Sequence, residues 1–266
     1  MPAMKTHQKH TYKLSNGTDM EEYRENPVWD LSKKTLTNND FVLIASLMPK
    51  INLTTLNLSR CGITDISALN NSMPNVTELN LSWNKIVDIG PLNRSMPNVT
   101  DLNLCGNQIQ DISALNRSMP NVTELDLHNN QNVEILPLNL TPMPNVRHLN
   151  LSNIKLSHND IVIIALILRR THITKLLLNY CGITNLRPLR KSLRNITHLE
   201  FVGSLIYLKA DPRCQYDPLW ADVSPLYGAM PNLSYIDISR NKVKKVDEWK
   251  IYSSNNKALW SGRCIF

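Results

Sequence analysis

Met73-Pro74-Asn75-Val76-Thr77-Glu78-Leu79-Asn80-Leu81 and Met96-Pro97-Asn98-Val99-Thr100-Asp101-Leu102-Asn103-Leu104 are one phrase written twice, 23 residues apart. The copies also close alike, with Asp88-Ile89-Gly90-Pro91-Leu92-Asn93-Arg94-Ser95 and Asp111-Ile112-Ser113-Ala114-Leu115-Asn116-Arg117-Ser118. Self-similarity at such a period signals a stacked array, because one unit cannot bury its apolar ladder and a stack can. The Leu-x-Leu core of each copy alternates, so each unit contributes a short strand with leucines on one face.

Outward from this pair, the pattern L-x-x-L-x-L-x-x-N/C-x-L fits eight units in one register. Leu53, Leu56, Leu58, Cys61 and Ile63 obey it, as do Val99, Leu102, Leu104, Asn107 and Ile109. The unit from Val122 carries one extra residue before Val133, and that from Val146 has Ile154 where Asn or Cys is expected. Ile173 restores the pattern, Ile196 to Ile206 degrades it, and Leu233, Ile236, Ile238, Asn241 and Val243 close it. Trp29, Leu31 and Leu36 read as a divergent first turn. The Asn or Cys is expected to turn inward and bond backbone groups left unpaired at the bend.

These residues resemble the leucine-rich repeat family over roughly residues 26–246. The Asp-Ile-x-x-Leu tails at Asp65, Asp88 and Asp111 look like the short-repeat phosphatase-regulatory and internalin-type class. The resemblance implies an α/β solenoid: a leucine-rich-repeat horseshoe with a parallel concave sheet, and short helices, 3₁₀ turns and loops on the convex side. Two units are longer and similar to ribonuclease-inhibitor-type repeats. Thr37-Asn38-Asn39-Asp40 and Ser157-His158-Asn159-Asp160 each precede an apolar run and read as capped helix starts. Residues 31–79 and 151–199 align throughout, which points to duplication of a multi-repeat block.

The expected domains are a polar, disordered tail over 1–25, a solenoid of about eight or nine repeats over 26–250, and a C-terminal cap over 251–266. Trp249, Ile251, Tyr252, Leu259 and Trp260 are expected to cover the last repeat edge. The 37-residue spacing from Ile196 to Leu233 leaves room for an insertion around Lys209–Pro225, either a binding loop or a packed connection.

Met1 to Pro27 lacks the apolar stretch of a secretion signal, and no aliphatic run is long enough to cross a bilayer. Five cysteines without a Cys-x-x-Cys pair suggest reduced thiols. A cytoplasmic protein, with the nucleus also open to it, is therefore expected rather than a secreted one. The Asn-x-Ser/Thr sequons, such as Asn57 and Asn80, then reflect the repeat and carry no sugar.

Function is expected at outward positions, which stack into columns about 4.8 Å apart. One column, Asn57, Asn80, Asn103, Asp126 and Asn150, reads as an amide ladder running along the sheet. A second holds Thr55, Glu78, Asp101, Glu124, His148, Lys175, His198 and Tyr235. A third holds Arg60, Trp83, Gly106, Asn129, Asn153, Tyr180, Gly203 and Arg240. Three stacked acids beside an exposed tryptophan suggest a patch for a protein partner: Arg60, Glu78, Trp83, Asp101, Glu124, Asp126 and His128, with Tyr180 further along. The net charge of +7 is matched by seven cations between Ile161 and Leu199, a stretch without Asp or Glu. Arg169, Arg170, Arg187, Arg190, Lys191 and Arg194 there form a flank that RNA or an acidic protein could use.

Cys105 and His128 hold equivalent places in successive units, near Asp126, which is half of a metal site or a Cys-His nucleophilic pair. The ligands are too few, and no Gly-rich oxyanion or phosphate loop accompanies them. The sequence therefore points to a non-catalytic adaptor or regulatory subunit, with no catalytic residue, metal or cofactor.

Overall fold

The computed structural model describes residues 12–115, 120–140, 143–204, 223–241 and 259–260. Among the described residues ten short strands lie in sequence order in one sheet: β1 (Val28–Asp30), β2 (Thr55–Asn57), β3 (Glu78–Asn80), β4 (Asp101–Asn103), β5 (Glu124–Asp126), β6 (His148–Asn150), β7 (Lys175–Leu177), β8 (His198–Glu200), β9 (Tyr235–Asp237) and β10 (Leu259–Trp260). Every neighbouring pair is parallel, and the register is the repeat register: Leu56, Leu79, Leu102 and Leu125 align across β2 to β5. These leucines are at most 1% exposed. The convex side returns α1 (Asn38–Leu47), α2 (Leu136–Leu140), α3 (His158–Arg170) and 3₁₀ turns such as Ser67–Leu69, Gly90–Leu92 and Ser113–Leu115. Ile66, Ile89 and Ile112 from these turns complete the core, each buried aliphatic contributing about 2 kcal/mol. The solenoid and its first turn are as expected, with Trp29 and Leu31 buried on β1 and beyond it.

The repeated phrase is the stitching between units. Met73, Met96 and Met143 fill the core. Asn98 donates to the Pro74 carbonyl at 2.7 Å, Asn121 to Pro97 and Asn145 to Pro120 at 2.8 Å. Thr77 and Thr100 donate to the carbonyls of Thr54 and Thr77, both at 3.1 Å. The closing aspartates open the 3₁₀ turns, since Asp88 and Asp111 each accept an amide two residues on at 2.7 Å. The inward Asn behaves as its position requires. Asn84 donates to the Leu58 and Leu81 carbonyls at 2.9 Å and accepts from the Cys61 and Ile63 amides. Cys61 and Cys181 replace it with an S–H shared between two carbonyls, those of Leu31 and Ser59 for Cys61 and of Leu151 and Asn179 for Cys181.

Both capped helices form. Thr37 accepts from the Asp40 amide and Asp40 from the Thr37 amide, and Ser157 and Asp160 repeat the arrangement. The N-terminal segment corrects the loose tail expected through residue 25. Residues 12–24 fold as a cap: Lys13 bridges Asp19, a 3₁₀ turn spans Met20–Tyr23, and Leu14 and Met20 are buried. The Trp29 indole donates to the Tyr23 carbonyl at 2.7 Å. Two apolar residues in a polar run carry no periodicity, so the sequence hides this packing. Residues 1–11, all but the last three residues of the insertion expected at Lys209–Pro225 and the side chains proposed to close the last edge lie outside the described residues, although β10 pairs with β9 there.

Asp40 locks the cap to the first helix. It is 5% exposed and accepts from the Ser15 amide at 2.5 Å, from the Ser15 hydroxyl, and from Thr37. Burial opposes its charge, but the bonds from Ser15 and Thr37 outweigh it and hold the carboxyl at about 2. A lowered value stabilises the fold fully above the unfolded value of 3.8 and loses that contribution as pH falls through about 2. Asp40→Ala should therefore cost about 2 kcal/mol at pH 7 and far less at pH 2, by urea titration at both. Equal deficits at the two pH values would reject the carboxylate as the lock.

Candidate functional site on the sheet face

Strands β2 to β6 each end in a side-chain turn. Asn57, Asn80, Asn103, Asp126 and Asn150 each accept the amide two residues on, at 2.9–3.1 Å. These residues therefore do not form the amide ladder along the sheet that their stacking suggested, because the local amide occupies the side-chain oxygen. The chain then passes through a left-handed residue to turn inward. Lys33, Arg60, Trp83, Gly106, Asn129, Asn153, Tyr180, Gly203 and Arg240 all have φ between 56° and 65°. That conformation costs a non-glycine residue roughly 1 kcal/mol or more. Inter-unit bonds hold it, including Trp83 N–H to the Cys105 carbonyl at 2.8 Å and Tyr180 N–H to Val202 at 2.8 Å.

The left-handed turn lays the Trp83 ring over the next unit. A Cβ on Gly106 would lie 2.7 Å from Trp83 Cδ2, so only glycine fits beneath it. The Arg60 guanidinium sits 5.4 Å from the Trp83 ring, and the His128 ring meets its edge at 6.3 Å and 74°. Trp83 is fixed by these neighbours and still 46% exposed. Glu78, Asp101 and Glu124 stand in register beside it on β3, β4 and β5. Asp101 titrates higher than an ordinary carboxylate, first because it is half-buried and then because Glu124, Glu78 and Asp126 repel its charge. Thr55 donates to Glu78 at 3.4 Å and His148 contacts Glu124 at 2.9 Å, so the acidic run is bounded at both ends. Asp101, Glu124, Asp126, His148 and Lys175 line a shallow depression next to it.

Tyr180 does not join this patch. It lies four units beyond Trp83, about 19 Å along the sheet. There it forms a second station of the same design, over Gly203, with its hydroxyl accepting from Arg240 at 2.7 Å. The sequence reading missed the glycine seats. The signal was present: in both stations the glycine follows the aromatic by 23 residues.

Asp126 and His128 lie deeper. His128 Nδ1 is 2.8 Å from Asp126 Oδ1, and one ligand atom each from Cys105, Asp126 and His128 lies within 4.8 Å of the others. The His128 imidazole is pushed up to about 10, first by the Asp126 carboxylate and then by Cys105, against the effect of burial. Cys181, in contrast, is a structural thiol that burial pushes up to about 12.

The basic flank is on the opposite surface. Arg169 and Arg170 end α3, and Arg187, Arg190 and Lys191 lie on the 3₁₀ turn Arg187–Lys191 that packs against it, followed by Arg194. All six are exposed. Arg169 donates to Ser192 and Arg170 to Asn139, both neutral partners.

The family model described as Leucine Rich repeats (2 copies) matches residues 51–94 and 97–140. Among solved structures the chain is similar to an internalin (inlF) from Listeria monocytogenes str. 4b F2365, at 23% identity and TM-score 0.64, over 93% of this chain and 71% of that one. It is also similar to internalin C2 (inlC2) from the same strain, at 22% identity and TM-score 0.55, over 86% and 84% of the two chains. No curated protein matches the sequence. Among the described residues no helix is long and apolar enough to cross a membrane.

Proposed function

From the premise that this chain is a leucine-rich repeat protein with an internalin-type solenoid fold, we propose that it is a non-catalytic adaptor or regulatory subunit that grips a basic segment of a partner protein on its concave face. The observation that carries this reading is Trp83, exposed yet immobilised between Arg60, Gly106 and His128. A rigid exposed aromatic loses little entropy on binding, as an interface anchor must. Beside it, Glu78, Asp101 and Glu124 repel one another, and Asp101 is held partly against ionisation. Lysines or arginines of a partner would relieve that repulsion. The free, buried thiols of Cys61, Cys105 and Cys181 support a reducing, cytoplasmic or nuclear location.

The test is affinity capture from source cells with the wild-type chain as bait, compared with the Glu78→Lys, Asp101→Lys, Glu124→Lys triple variant. The variant should melt within a few degrees of wild type and lose the captured protein. Unchanged capture would reject the patch. A second reading rests on the exposed flank of Arg169, Arg170, Arg187, Arg190, Lys191 and Arg194, which has only neutral partners at Arg169 and Arg170. Recovery of RNA, lost when Arg187, Arg190, Lys191 and Arg194 become alanine, would move the assignment there.

A further inference from the structure

Two columns of the repeat have a default residue. After each strand the second residue is serine at Ser32, Ser59, Ser82, Ser152 and Ser239; it is otherwise Cys105, His128, Asn179 or Val202, of which Cys105 and His128 fall in adjacent units. The strand-end column is asparagine at Asn57, Asn80, Asn103 and Asn150; aspartate makes the same turn at both ends of the array, at Asp30 and Asp237, and once in its middle, at Asp126. The turn does not itself require Cys105, His128 or an acid at Asp126, since asparagine followed by serine makes it in the neighbouring units. All three nevertheless converge on one spot, with ligand atoms within 4.8 Å of one another.

We propose that Cys105, Asp126 and His128 form a binding site for a divalent transition ion of the zinc type. Thiolate, imidazole and carboxylate together are the donor set such a borderline-soft ion selects over calcium or magnesium. Bonds of about 2.0–2.3 Å place tetrahedral ligands roughly 3.5 Å apart. Backbone bonds already fix the three carriers: Cys105 N–H to Asn103 Oδ1 at 3.1 Å, His128 N–H to Asp126 Oδ1 at 2.9 Å and Gly106 N–H to the His128 carbonyl at 2.9 Å. Cys105 is buried, whereas the Asp126 and His128 side chains are 28% and 29% exposed, so the fourth coordination position opens onto the sheet face. Water or a partner's side chain fills it. Trp83 packs its ring against His128, which couples the ion to the neighbouring anchor.

The probe is Co²⁺ alone, titrated into the reduced full chain without any partner, so the result is independent of capture at the acidic column. A near-ultraviolet thiolate-to-cobalt band saturating at one ion per chain, displaced by Zn²⁺, is expected. Cys105→Ser should abolish the band. His128→Asn, which copies Asn179, should do the same. Asp126→Asn should weaken binding roughly 10- to 100-fold. Each variant restores a residue the other repeats already carry, so circular dichroism and melting should stay near wild type. Absence of the band in the wild type, or its persistence in Cys105→Ser, overturns the site.

Discussion

Asn107→Ala should cost about 3–4 kcal/mol, among the largest losses available from one polar side chain in this fold. Asn107 is 6% exposed. Its amide donates to the Leu81 and Leu104 carbonyls at 3.0 Å, and its oxygen accepts from the Ile86 amide at 3.1 Å. Alanine leaves those groups buried without partners, each costing about 1–3 kcal/mol before relaxation. The damage falls on a joint between two units, where solenoid stability is concentrated. Asn107→Cys should be milder, because Cys61 and Cys181 show that a thiol restores one of the bonds at this position. Urea titration should show a lower midpoint with an unchanged slope. A loss under about 1 kcal/mol would mean that the inward asparagines fill space rather than tie units together.

Gly106→Ala should cost about 2–3 kcal/mol and should dislodge Trp83. Two terms contribute. The backbone is left-handed, at φ +65°, and the new Cβ would meet the Trp83 ring at 2.7 Å. Only the second term depends on Trp83, so in a Trp83→Ala background the cost should fall to about 1 kcal/mol. Gly62→Ala isolates the backbone term, because Gly62 has φ +75° and open space where its Cβ would go. If Trp83 is the anchor, Gly106→Ala should weaken partner capture as much as Trp83→Ala does, without touching the interface itself. Additive costs in the double variant would dissolve the proposed seat.

Much of this was legible from residues 73–104 outward. The leucine positions, the inward asparagines, both capping boxes and the parallel register follow from the repeat, because each period-locked identity reports a contact made again in every unit. The acidic column was legible for the same reason: Glu78, Asp101 and Glu124 are one period apart and pair in register. The strand-end asparagines were misassigned because stacking distance does not reveal a nearer partner, the amide two residues on. The cap at residues 12–24 was missed because its contacts, Ser15 to Asp40 and Trp29 to Tyr23, occur once and leave no pattern.

By itself the sequence determined the solenoid, its handful of outward columns and the inner ladder, since hydrophobic periodicity and buried hydrogen bonding admit one register. The tertiary structure alone decided which outward side chains meet. A left-handed turn throws Trp83 across Gly106 toward His128, and Tyr180 across Gly203 toward Arg240. It also draws Cys105, Asp126 and His128 to within 4.8 Å. Residue spacing shows which side chains are neighbours in adjacent units; only the direction of the left-handed turn decides that the aromatic lies over the glycine and reaches His128 or Arg240.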